Sequence, residues 1–84
     1  MIKKQFLSLK VGDILLYESG DNNYSTLIEK VISKNENEYN FLIIKSGKGW
    51  CIYKEGRTNK IPFSIPWYYK LTKLTKPQAF REML

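Results

Sequence analysis

The 84-residue chain contains no histidine and one cysteine, Cys51. Without histidine, neither a Ser-His-Asp nor a Cys-His catalytic unit can be assembled, and a zinc site built from His and Cys within one chain is excluded. A lone cysteine forms no internal disulfide, so the cross-linked secreted miniproteins are ruled out and a reducing cytoplasm is the expected location. Long apolar runs are missing too. None exceeds the four residues of Phe41-Leu42-Ile43-Ile44, far short of the roughly 20 residues that span a bilayer. The early lysines Lys3 and Lys4 are followed by no apolar run of signal-peptide length, so neither a signal peptide nor a membrane partner is expected. Arginine is scarce, at Arg57 and Arg81, while Lys, Ile, Asn and Tyr abound. That bias suits an AT-rich genome of the kind many phages and low-GC bacteria have.

The residues that are present argue for one folded domain. Two Trp, six Tyr and four Phe supply large buriable surfaces, which sets the chain apart from disordered sequences. The length fits a single domain with a modest core. Turn signals recur at Val11-Gly12-Asp13, Ser19 to Asn23, Lys34 to Asn37, Ser46 to Gly49 and Glu55 to Asn59, separated by short segments rich in β-branched and aromatic residues. This spacing predicts a mainly β fold, a barrel or sandwich of short antiparallel strands.

Strands are expected over Asp13 to Glu18, Glu38 to Ser46 and Trp50 to Lys54, the last pairing back across Gly47-Lys48-Gly49. Apolar residues on both sides of the Glu38 segment suit a central strand covered, at least in part, on both faces. Ile61, Phe63, Ile65, Trp67, Tyr69 and Leu71 fall at every second position and would share one face of an extended chain. Pro62 and Pro66 make the first half of that run an edge or loop, leaving Trp67 to Leu74 as a strand. Leu27, Ile28, Val31 and Ile32 have helical spacing, but the strand formers around them and the hairpin-like flanks favour a strand over Tyr24 to Lys34, with a bulge near Glu29 bringing both apolar pairs inward. Thr75, Pro77 and Gln78 match a helix start, with Thr75 as N-cap. A helix over about 76–84 follows, with Ala79, Phe80, Met83 and Leu84 on one face. So short a helix must dock, over an open barrel end or on a partner.

The segment Lys10-Val11-Gly12-Asp13-Ile14-Leu15-Leu16-Tyr17 resembles the first strand of SH3-like small β-barrels, including KOW-type modules of phage and bacterial origin. Leu27-Ile28-Glu29-Lys30-Val31 is similar to their second strand and Trp67-Tyr68-Tyr69-Lys70-Leu71 to a closing one. The resemblance covers about residues 9–74. It implies an SH3-like barrel of five to six short antiparallel strands with a short C-terminal helix outside the pattern, and the habits of a binding module, and it transfers no functional residue.

Charge is uneven. Residues 1–44 hold five lysines against six acids, a net −1, whereas residues 45–84 hold nine basic residues against two acids, a net +7. Such asymmetry points to an anionic partner. The candidate contacts are Lys45, Lys48, Lys54, Arg57, Lys60 and Lys70, with the first two in a small flexible turn whose backbone N–H groups can approach phosphates. That turn is not a P-loop, since the first glycine and the Lys-Ser/Thr pair are missing. Tyr68, taken to face outward beside Lys70, together with Trp50, Tyr53 and Trp67, could stack on bases or anchor an interface. The plainer reading is that turn lysines solubilise, and that Trp50 and Trp67 fill the core. Cys51, without a histidine to activate it, fills space. No catalysis and no cofactor are expected. The leading expectation is a nucleic-acid-binding module. The alternatives are a phage-type inhibitor or adaptor docking on an acidic protein surface, through Ile65 to Tyr69 or the Phe80, Met83 and Leu84 face, and capture of a small nucleotide-like anion by an oligomer.

Overall fold

Tyr39, Phe41 and Ile43 alternate along one nine-residue segment, and all three are buried on the same side. The computed structural model describes residues 1–18, 26–47 and 55–83. In chain order its elements are α1 (Lys3–Leu7), β1 (Ile14–Glu18), β2 (Thr26–Lys34), β3 (Glu38–Ser46), β4 (Thr58–Pro62), a 3-10 turn (Trp67–Lys70), β5 (Leu71–Lys73) and α2 (Lys76–Met83). The fold is mainly β, as expected: one antiparallel sheet in the order β4-β3-β2-β1-β5, with a short C-terminal helix.

The central pair behaves as its sequence dictates. On β3, residues 39, 41 and 43 face the core while Leu42 and Ile44 are half-buried on the other side. Strand, not helix, is the state of β2. Its register against β3 shifts between Ile28 and Glu29 and again between Val31 and Ser33, so that Leu27, Ile28, Glu29 and Val31 are all buried. Asn35 closes the hairpin between them: its Oδ1 accepts the N–H groups of Asn37 (2.8 Å) and Glu38 (2.9 Å), a side-chain mimic of a backbone turn.

One expectation is corrected and a second is not confirmed. The first is the strand over Trp67 to Leu74. Its first four residues wind into a 3-10 turn after Pro66, and only Leu71–Lys73 remain extended. Pro66 takes a helical φ/ψ, and period-2 alternation carries no meaning through a turn of period three. Tyr69 is therefore 65% exposed, and Tyr68, expected on the surface, is half-buried and stacked on Phe6 at 5.8 Å. The second is the barrel. Among the described residues the sheet is open, with β4 and β5 as its edges. Pro62 ends β4 with its missing N–H on the unpaired side, and β5 is three residues long, both known ways of blunting an edge. The hairpin over Trp50 to Lys54 lies outside the described residues. The described partner of β3 on this side is β4, extended by Ile43 N–H to the Arg57 carbonyl (2.9 Å) and Gly56 N–H to the Ile43 carbonyl (2.8 Å).

The core joins sheet residues Leu15, Val31, Tyr39, Phe41, Ile61 and Leu71 to Phe6 and Leu9 from the N-terminal segment. Five residues of α1 are too few to be helical alone, and side chains from the sheet hold them. Lys34 Nζ donates to the Leu7 (2.8 Å) and Leu9 (3.4 Å) carbonyls, and the Tyr39 hydroxyl donates to the Phe6 carbonyl. A cation at a helix C-terminus also meets the negative end of its dipole. At the other end of the chain, Thr75 N–H donates to Gln78 Oε1 (2.9 Å) and Gln78 N–H to Thr75 Oγ1 (3.4 Å), the expected capping box of α2. Ala79 is buried and Phe80 is 65% exposed, so the apolar face expected of α2 is only partly turned inward.

Between α1 and β1, Lys10 to Asp13 form a turn closed by Asp13 N–H to the Lys10 carbonyl at 3.0 Å. Gly12 stands at φ +99°, the value a type II turn requires at its third residue. A Cβ at this position would meet nothing within 4 Å, so the penalty of Gly12→Ala is conformational alone. It is expected to lower the unfolding free energy by roughly 1–2 kcal/mol, measured by urea denaturation. An unchanged midpoint would contradict the turn.

Candidate functional site

The cations singled out in the second half do not form one patch. Lys45 is half-buried, and its Nζ donates to the Glu82 carbonyl at 3.0 Å, tying α2 to the sheet. Arg57 and Lys60 are exposed at β4, with Lys60 opposite Asn40, whose buried Oδ1 has no hydrogen-bond partner. Lys70, half-buried, sits in the 3-10 turn just before β5, at the other end of the strand order. Lys48, Trp50, Tyr53, Lys54 and Leu84, and the side chains of Trp67 and Met83, lie outside the described residues.

The docking of α1 sets elements that carry a different group of cations side by side. The Met1 ammonium donates to the carbonyls of Leu71 (2.8 Å) and Tyr68 (3.5 Å), and Phe6 stacks on Tyr68. The N-terminal segment is thereby fastened against the 3-10 turn and β5. Exposed Lys3 and Lys4 lie on α1, and half-buried Lys70 and the exposed Tyr69 lie on the 3-10 turn that this docking sets against it. Lys73 on β5 reaches Asp13 Oδ2 at 3.6 Å, and the same oxygen accepts the Lys10 N–H at 2.8 Å, which adds Lys10 to the group. Asp13 is the acid that these contacts set between Lys10 and Lys73.

An open groove of about 440 Å³ runs between α1 and β5, lined by Met1, Gln5, Ser8, Leu9, Leu71, Thr72 and Lys73. Leu74 N–H donates to the Ile14 carbonyl at 2.9 Å. In an antiparallel ladder the residues alternate in facing the partner, so Thr72 also faces β1 while Leu71 and Lys73 face outward. The N–H of Leu71 is bonded to the Tyr68 carbonyl and its own carbonyl to Met1. The backbone groups of Lys73 are left to open into the groove.

Sequence reasoning missed most of this corner. Lys3, Lys4, Lys10 and Lys73 are not among the contacts expected from the sequence, and Tyr69 enters there only on one face of an extended run and within the Ile65 to Tyr69 segment. Dividing charge between the halves of the chain hides a site built from its two ends.

One further polar group stands apart. Glu29 lies on the core face of β2, with Leu15 and Ile43 as its cross-strand partners, and is 4% exposed. It has no hydrogen-bond or ion-pair partner among the described residues, and burial pushes its carboxyl up to about 7.

Comparison with known proteins finds no matching family model, no matching curated protein and no matching solved structure. Among the described residues, no helix is long and apolar enough to cross a membrane, and no group of three or more His, Cys, Asp or Glu is placed to hold a metal ion.

Proposed function

We propose that the protein is a non-catalytic binding module of the cytoplasm that engages nucleic acid through the corner formed by α1, the 3-10 turn and β5. The observation that carries this reading is the docking of α1, which bears exposed Lys3 and Lys4, against the 3-10 turn and β5, which bear Lys70, the exposed ring of Tyr69 and the Asp13-paired Lys73, with Lys10 on the turn that holds Asp13. Cations spaced over a surface of this kind neutralise phosphates, and a neighbouring aromatic ring gives a base something to stack on. The absence of histidine from the chain supports binding over chemistry. A protein partner is the second reading. It is favoured by Phe80, which α2 leaves 65% exposed, and would place an acidic surface against the basic module.

Fluorescence anisotropy with short labelled oligonucleotides tests the first reading. If the five lysines all contact phosphate, the logarithm of affinity should fall against the logarithm of salt with a slope of about −3.5 for a single strand or −4.5 for a duplex. Replacing Lys3, Lys4, Lys10, Lys70 and Lys73 by glutamine is expected to abolish binding. Arg57→Gln with Lys60→Gln should change it less than about threefold. Equal losses from both sets would move the site to the other edge, and no binding at about 50 mM salt would sink the reading.

A further inference from the structure

We propose that the α1–β5 corner takes single-stranded nucleic acid and discriminates against duplex, an inference that rests on the nucleic-acid reading above. A duplex is read by an element that enters its major groove. α1 spans five residues, about 7.5 Å, and its C-terminal carbonyls are already held by Lys34 and Tyr39, so it cannot project. The closed end of the β2–β3 hairpin carries Glu36 and Glu38, which repel phosphates. The corner offers a single strand what a duplex cannot use. Tyr69 presents an open ring face, which pairs with a base only when that base is unstacked. Beside it, with Gln5 Oε1 accepting the Ile2 N–H and the Ser8 hydroxyl donating to the Gln5 carbonyl, the groove supplies neutral hydrogen-bonding groups, namely the Gln5 side-chain NH2, the accepting side of the Ser8 hydroxyl, Thr72 and the outward N–H and carbonyl of Lys73. These suit the edges of splayed bases, while Lys4, Lys70 and Lys73 follow the backbone. The molecule measures 32 × 27 × 22 Å, enough for a strand of a few nucleotides across one corner.

The test compares a labelled oligo-dT strand with a mixed-sequence duplex of equal length at about 50 mM salt, using the wild-type chain, Tyr69→Ala and Tyr69→Phe. The strand is expected to bind at least tenfold more tightly than the duplex. Tyr69→Ala should weaken strand binding about tenfold and leave duplex binding within twofold, whereas Tyr69→Phe keeps the ring and the affinity. With the Tyr69 side chain in solvent, none of these changes should move the melting temperature by more than a few degrees. Equal affinity for strand and duplex, or strand binding indifferent to Tyr69→Ala, overturns the inference and leaves a non-discriminating module. Failure of both probes to bind overturns the proposed function itself.

Discussion

Phe6→Ala is expected to cost about 3–5 kcal/mol of stability, the largest effect of any single truncation in the N-terminal segment. Phe6 is 0% exposed and meets Tyr39 edge-on at 5.1 Å and Tyr68 face-on at 5.8 Å. Removing the ring opens a cavity between α1, the sheet and the 3-10 turn, and it forfeits both aromatic pairings, worth about 0.5–1.5 kcal/mol each beyond area. A domain of this size holds about 5–15 kcal/mol in all. The melting temperature should therefore drop by at least about 12 °C, from roughly 4–8 °C per kcal/mol. A loss under about 1 kcal/mol in urea denaturation would show that α1 is not packed as described. Tyr39→Phe separates helix docking from core volume. It keeps the ring and deletes the hydroxyl that donates to the Phe6 carbonyl, an expected loss of about 1 kcal/mol.

The same change has a functional signature. Lys3 and Lys4 reach the corner only because Phe6 and the Met1 ammonium dock α1 against Tyr68 and Leu71. At a temperature where Phe6→Ala is still folded, loss of α1 docking should reduce nucleic-acid binding and flatten its salt dependence by the share of the α1 lysines, about 0.7 in slope per lost phosphate contact on a single strand. Retention of the full slope would separate α1 from the binding surface.

What could be read from the residues follows from how local each signal is. β3 was legible because burial alternates from Glu38 to Ile43 and turn signals bound the segment on both sides. The bulged β2 was legible because two apolar pairs at helical spacing, set among strand formers, admit few other solutions. The start of α2 was legible from Thr75 and Gln78, whose capping is decided within four residues. α1 was not. It has a single core anchor, and the Lys34 and Tyr39 groups that stabilise it lie more than twenty residues away in the chain. Nor was the orientation of Tyr68 and Tyr69, since alternation through Ile65, Trp67 and Leu71 gives no sign of one 3-10 turn inserted between two extended segments, although Pro66 was a local hint of it. The candidate site fared worst for the same reason. Its lysines belong to residues 3–10 and 70–73, and only tertiary docking sets the elements that carry them side by side.

Glu29 predicts a pH dependence whose sign is fixed by its burial. Its carboxyl, ordinarily near 4.5, stands at about 7 in the folded chain, so between these values the fold retains a proton that the unfolded chain has released. Stability contributed by this group is complete below pH 4.5 and is lost as pH rises through 7. At about 1.36 kcal/mol per pKa unit, the total is about 3 kcal/mol. Other titrating groups contribute to the absolute curve, but they cancel in a comparison with Glu29→Gln, which keeps the shape and has no proton to lose. The stability of Glu29→Gln relative to wild type should therefore rise by about 3 kcal/mol from pH 4.5 to pH 8, with most of the change complete by pH 7.5. Whatever the buried amide costs for want of a partner, that cost is constant over the range. Glu29→Leu should show the same pH profile displaced upward, because it also replaces a polar group between Leu15 and Ile43 with an apolar one. Urea denaturation of the three chains at pH 4.5, 6 and 8 measures this directly. Parallel stability curves for wild type and Glu29→Gln would mean that the carboxyl is hydrated or paired in solution, and that β2 does not bury it against β1 and β3.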